Sequence, residues 1–162
     1  MPPEQVIASI EELVQVLDLV DVSFVEERGR LVVRSEGEDA GRDWPEHVNQ
    51  LSITQSKDKT GIRFRFRYVL AQADVEYVAD LRAEYVAEDP FDVSQGIKLD
   101  FASRVAFMTT YPYIRASISG SATRLGQPVP ILGLVRQGEF EVGSTMSESE
   151  VREAFFDNKP EL

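Results

Sequence analysis

The chain of 162 residues has no cysteine and a single histidine, His47. Without cysteine there are no disulfide frameworks, zinc knuckles, iron–sulfur clusters or thiol nucleophiles, and the composition fits a reducing compartment. A catalytic zinc site draws on two or three histidines or cysteines, which one histidine cannot supply. His47 stands beside Glu46 and near Asp43, but a histidine at a strand edge is the simpler reading. No serine lies in a G-x-S-x-G elbow, and no phosphate-cradling glycine motif of the G-x-x-x-x-G-K-[ST] or G-x-G-x-x-G kind occurs. The expectation is a protein that is not an enzyme and takes no cofactor or metal. Apolar runs are too short to cross a bilayer, which takes about 20 residues. Met1-Pro2-Pro3-Glu4 lacks the basic start of a signal peptide, so a cytoplasmic protein without membrane insertion is expected. Lys and Arg number 17 against 28 Asp and Glu, a formal charge of −11. Phosphate binding favours the opposite balance, which disfavours nucleic acid as a partner.

What is present is a hydrophobic pattern that changes period along the chain. Val6, Ile10, Leu13, Val14 and Leu17 share one face at helical spacing, predicting an N-terminal helix over about residues 4–18. Val20, Val22 and Phe24 then alternate with Asp21 and Ser23, as in a half-buried strand, with a bend expected at Gly29. Residues 35–46 are polar, contain Gly37, Gly41 and Pro45, and read as an irregular crossover. Trp44 is the one indole in the chain, and an indole in a polar loop packs down on something apolar. Leu51 and Ile53 predict a second strand over about 47–57.

The clearest signal is a pair of period-two runs. Ile62, Phe64, Phe66, Tyr68 and Leu70 alternate with Arg63, Arg65, Arg67 and Val69; Val75, Tyr77, Ala79, Leu81, Ala83 and Tyr85 alternate with Glu76, Val78, Asp80, Arg82 and Glu84. A short loop at 71–74 joins them into an antiparallel hairpin with one buried and one wet face. Matching the apolar faces sets Arg65 opposite either Asp80 or Arg82, and cross-strand charge favours Asp80 by at most about 1 kcal/mol. Arg63, Arg65 and Arg67 form a row of the kind that grips single-stranded nucleic acid. The aromatics, however, point to the opposite face, so pairing with Glu76, Asp80 and Glu84 is the stronger reading.

After Pro90 the period is helical again. Asp92 or Ser94 is placed to cap, and Ile97, Phe101, Val105 and Met108 share a face. Pro112 is expected to interrupt the helix, and Gly126 to end it near Leu125. Ser147 and Glu150 form a capping-box pattern for a short last helix to about 157. The whole chain, 1–162, then reads as one α+β domain: an N-terminal helix (1–18), an antiparallel four-stranded sheet (19–86), and a helical part (92–162) with a long proline-kinked helix.

Tyr111-Pro112-Tyr113-Ile114-Arg115 resembles the aromatic-Pro-Tyr-x-Arg stretch in the long helix of SecB-type export chaperones. Residues 124–134, with Gly126, Pro128 and Pro130, are similar to the proline turn that follows it. Asp43-Trp44-Pro45 resembles the family's Asp-Trp-x-Pro crossover with one residue missing, and Asp21-Val22-Ser23-Phe24 its first-strand Asp-Ile-Ser-Phe. The likeness covers about residues 21–134 in matching order.

The resemblance implies a dimer of dimers and an ATP-independent holdase that keeps unfolded client polypeptides in apolar grooves, with Phe24, Trp44 and Tyr111 as groove-lining candidates. It also implies handing of clients to the SecA motor through an acidic patch on the wet sheet face, matched here by Asp21, Val78 and Asp80. Two departures bear on that. A second acidic position of the patch is Val25, and Arg63, Arg65 and Arg67 share the face and offset its charge. The N-terminal helix and the different C-terminal part are closer to SecB-like chaperones dedicated to the antitoxin of a toxin–antitoxin system, the alternative reading.

Overall fold

The computed structural model describes residues 3–32, 48–72, 74–132 and 144–145. In chain order the elements are β1 (Gln5–Ile7), α1 (Ile10–Val16), β2 (Asp18–Leu31), β3 (Val48–Gln55), β4 (Gly61–Gln72), β5 (Val75–Val86), β6 (Phe91–Val93), α2 (Gln95–Phe101), a π turn (Ala102–Ala106), α3 (Phe107–Arg124) and β7 (Ser144–Thr145). The expected four antiparallel strands stand in the order β2-β5-β4-β3, and β7 adds two residues in parallel to β3. The crossover, His47 and the expected last helix lie outside the described residues.

The start of the chain departs from expectation. Ser9 caps α1 by accepting from the Glu12 N–H at 3.2 Å, while the Glu12 carboxylate accepts from the Ala8 N–H at 2.8 Å. This variant of a capping box, whose return bond goes to the residue before the cap, begins the helix well after Glu4. The preceding residues are drawn into parallel pairing with β6, Gln5 opposite Phe91 and Ile7 opposite Val93. Val6 is therefore exposed, whereas Ile7, Leu13 and Leu17 join the core.

Alternation on β4 and β5 packs Phe64, Phe66, Tyr77 and Leu81 beneath the helices. Phe64 stacks on Phe101 at 5.3 Å between ring centres, and Phe66 meets Phe107 at 5.4 Å. The helical side carries a register change that the spacing did not predict. Phe101 is buried as expected, but beyond it the buried face leaves Val105 and Met108 and runs through Ala102, Ala106, Phe107, Thr110, Tyr111 and Ile114. The π turn supplies one extra residue and rotates the face by that amount. α3 runs on through Pro112, so the interruption expected there falls earlier, at Ala102–Ala106. The stop at Gly126 holds: Gly126 has φ 66°, its N–H reaches the Thr123 carbonyl at 3.1 Å, and the Gln127 N–H reaches Ala122 at 2.9 Å. Those are the bonds of a Schellman motif.

β2 is more irregular than its composition suggests. Register shifts between Leu19 and Asp21 and between Phe24 and Glu26 insert Val20 and Val25 as extra residues. Each insertion reverses the phase of the strand. Leu19, Val22, Phe24, Glu27, Gly29 and Leu31 thus face the helices, opposite Tyr85, Ala83, Leu81, Ala79, Tyr77 and Val75. Gly29 is not a bend; β2 continues through it. A Cβ there would lie 2.8 Å from Ser121 Cβ, so α3 presses directly on the bare backbone.

The outer face of the sheet is a lattice of charge. Arg65 stands opposite Arg82, not Asp80, so the register is the alternative one. Arg65 instead reaches Asp80 diagonally through two hydrogen bonds, at 2.9 and 2.8 Å. Arg67 donates to Asp80 at 3.2 Å and to Glu26 at 2.5 Å. Arg63 pairs with Glu84, and Arg82 donates to Ser23 at 2.9 Å. Asp80 has no solvent exposure and Val78 has 2%. The face expected to be wet is thus closed at its centre, because arginine side chains from β4 fold across β5. Burial pushes the Glu26 carboxyl up, but the hydrogen bond and charge of Arg67, with Arg28 and Arg65 behind, outweigh it and hold Glu26 below the usual carboxylate range. Arg65 is raised chiefly by its hydrogen bonds to Asp80.

Two predictions follow from this packing. Gly29→Ala should lower the free energy of unfolding in urea by about 1–3 kcal/mol, because the methyl meets backbone-fixed Ser121; an unchanged midpoint would contradict the close approach. A depressed Glu26 stabilises the fold above its ordinary value, and that stabilisation is lost as pH falls through the folded value. Between about pH 6 and pH 3 the melting temperature of Glu26→Gln should therefore fall less steeply than that of the unsubstituted protein. Parallel curves would show that the pair with Arg67 contributes nothing.

Candidate functional site

One row of the inner face crosses the four antiparallel strands: Phe24, Leu81, Phe66 and Leu51. The last three are buried, while Phe24, on the edge strand, remains 40% exposed. Its strand neighbours behave alike, with Leu19 46% and Leu31 54% exposed. The bulge residues Val20 and Val25 add apolar surface at the same edge. β2 is bordered by β5 alone, so among the described residues its outer backbone edge is open.

A second apolar feature follows α3. From Gln127 to Leu132 the chain forms neither helix nor strand. Pro128 and Pro130 lack the N–H a strand would need, which keeps the segment from pairing. Leu132 is buried and anchors it, while Val129 is half-exposed and Ile131 is 97% exposed. An isoleucine projecting from a stiff, anchored segment is apolar surface held away from the core. Such surface binds without directional demands, at about 25 cal/mol per Å² buried, and so tolerates many sequences.

The three groove-lining candidates separate. Phe24 is accessible. Tyr111 is 7% exposed, its ring 5.4 Å from that of Phe107, and burial raises its hydroxyl above the usual value against the opposing charge of Arg115. It belongs to the core beneath α3. Trp44 lies outside the described residues. Val129 and Ile131 were not among the candidates. The signal that could have found them is an apolar residue after each of two prolines, since prolines prevent the strand that would otherwise bury it.

The acidic patch also separates. Asp21 is exposed, but Val78 and Asp80 are closed off by the lattice, Val78 between Arg28 on β2 and Val69 on β4. The row Arg63, Arg65 and Arg67 is engaged with Glu84, Asp80 and Glu26, with the aromatics of β4 on the other face. That arrangement leaves the single-stranded nucleic-acid reading without a stacking platform beside its cations.

Among the described residues no group of three potential ligands of the His, Cys, Asp or Glu type could hold a metal ion. No described helix is long and apolar enough to cross a membrane. A cleft of about 200 Å³ is lined by Thr54, Ser56, Arg63 and Glu84 among others. It is smaller than the roughly 300–1,000 Å³ of small-molecule sites, and its guanidinium and carboxylate are paired with each other.

No family model matches the chain. The SecB-like chaperone SmegB of Mycolicibacterium smegmatis is 30% identical over 141 residues, 87% of this chain and 90% of that protein. Among solved structures, the Rv1957 SecB-like chaperone of Mycobacterium tuberculosis, in complex with a ChAD peptide from the Rv1956 HigA1 antitoxin, superposes with a TM-score of 0.57 at 13% identity. The match covers 78% of this chain and 92% of the other. A shared fold at that identity and a shared sequence over nearly the full length of SmegB point the same way: the chain belongs to the SecB-like chaperones.

Proposed function

We propose that this protein is an ATP-independent holdase that keeps an unfolded or aggregation-prone polypeptide on the apolar surfaces of the edge strand β2 and of the segment Gln127–Leu132. The observation that carries this reading is the pair of half-exposed inner-face residues, Leu19 and Phe24, on an edge strand whose counterparts on β5 and β4 are fully buried. A core that needed only stability would cover them. Together with Ile131 they leave apolar area open that a non-directional binder requires.

A dedicated partner fits better than delivery to the SecA motor. Docking through Asp21, Val78 and Asp80 would need a face that is open and acidic. Here Val78 and Asp80 are buried and the surrounding carboxylates are matched by arginine. The solved neighbour holds an antitoxin peptide, which supports an antitoxin segment as this chain's client as well. Exposed Val25 and Tyr113 further support association of copies into an oligomer such as a dimer of dimers.

Phe24→Ser and Ile131→Ser should each weaken suppression of client aggregation, by roughly three- to tenfold in the concentration required, with the melting temperature little changed. Full activity in both would remove the proposed surface. Native mass spectrometry of the protein expressed with its genomic neighbours should show an oligomer carrying one small co-expressed polypeptide. A bare monomer would contradict both the assembly and the dedicated partner.

A further inference from the structure

β2 has a problem of register. A strand is fixed in register when one face is buried, because a one-residue slip turns its apolar residues outward. The inner face of β2 is held by Val22 on the core, by Gly29 under α3 and by the Glu27–Arg124 pair, but Leu19, Phe24 and Leu31 are only half covered, so burial alone holds the strand weakly. The outer face supplies further contacts: Ser23 accepts from Arg82, Glu76 accepts from Arg28 and Arg30, and Glu26 accepts from Arg67.

The last contact differs in kind. Glu26 reaches past β5, its neighbour, to Arg67 on β4. Arg67 is 16% exposed and is fixed by Asp80, which is fully buried and held in turn by Arg65. Glu26 therefore ties the edge strand to an ion cluster anchored in the two central strands. The bulge at Val25 is what lets it do so, because it turns Glu26 outward, opposite Asp80, while leaving Phe24 inward, opposite Leu81.

We infer that Glu26 is a positioning residue for client holding: from the outer face it fixes the register of β2, the strand whose inner face is left uncovered to receive a client. This rests on the holdase reading above. It gives the arginine-rich outer face a role that neither motor docking nor nucleic-acid binding accounts for. A carboxylate on one side of the sheet controls apolar recognition on the other.

The test uses Glu26→Gln, followed by amide hydrogen exchange and by affinity for a permanently unfolded, carboxymethylated polypeptide. Exchange along β2 should rise roughly fivefold while the β4–β5 hairpin stays protected, and client affinity should fall by a similar factor. Restoring the register covalently should restore affinity. Ser23 and Arg82 are cross-strand partners, and the chain has no cysteine to compete, so Ser23→Cys with Arg82→Cys in the Glu26→Gln background offers a clean disulfide. The oxidised form should bind as the unsubstituted protein does, and reduction should reverse it. Unchanged exchange on β2, a lowered melting temperature with intact client affinity, or a loss of affinity that the disulfide does not repair would each overturn the inference. If the unsubstituted protein binds no unfolded polypeptide, the holdase reading fails, and the exchange experiment still decides whether Glu26 holds β2.

Discussion

The Arg67 guanidinium ties the edge strand to the centre of the sheet's outer surface. Arg67 donates at once to the fully buried Asp80 and to Glu26 on the edge strand, and Arg65 closes the cluster from the other side. Buried ion pairs are poor sources of net stability, because desolvation offsets most of the attraction, and well-packed apolar residues do as well or better. Their value lies in specificity. A slip of β2 along the hairpin would carry Glu26 away from Arg67 and break a charged contact at a site only 16% exposed on the arginine side. The contact of Glu26 with Arg67 thus favours one placing of β2 on the β4–β5 hairpin without using apolar contacts.

That economy bears on how the fold can display apolar surface without pairing copy to copy. An open strand edge with half-exposed Leu19, Phe24 and Leu31 invites pairing with other copies or with itself in the wrong phase. Two bulges at Val20 and Val25 twist and interrupt the edge, and Glu26, Arg28 and Arg30 line its outer side. The segment Gln127–Leu132 solves the same difficulty by proline, which displays Val129 and Ile131 on backbone that cannot join a ladder. A formal charge of −11 adds long-range repulsion between copies.

Much of this was legible in the sequence, and the failures have physical causes. Strict alternation over ten residues on β4 and β5 has only one structural solution, so the hairpin and its inner face were readable, as was the helix stop at Gly126. Arg65 could face Asp80 or Arg82 with the same apolar face inward, and a long guanidinium can reach Asp80 from either register. Cross-strand charge therefore could not decide between them. The bulges of β2 were hidden because the inserted residues are valines, which look like members of the alternation they interrupt. The π turn was hidden likewise, since Val105 and Met108 continue a helical apolar stripe on paper. On the candidate site, Phe24 was readable as an inner-face residue, but its exposure depends on β2 being at the sheet edge, which is a matter of strand order. Val78 and Asp80 looked exposed because alternation assigns a face and says nothing of what long side chains fold across it.

Clients that occupy the inner apolar edge and the proline segment would leave the charged outer face bare. Carbene footprinting of the protein with and without a bound unfolded polypeptide tests this directly. Labelling should fall at Leu19, Phe24, Val129 and Ile131 and stay constant at Arg63, Arg82 and Glu84. Protection of the outer-face residues with no change at Phe24 and Ile131 would contradict it.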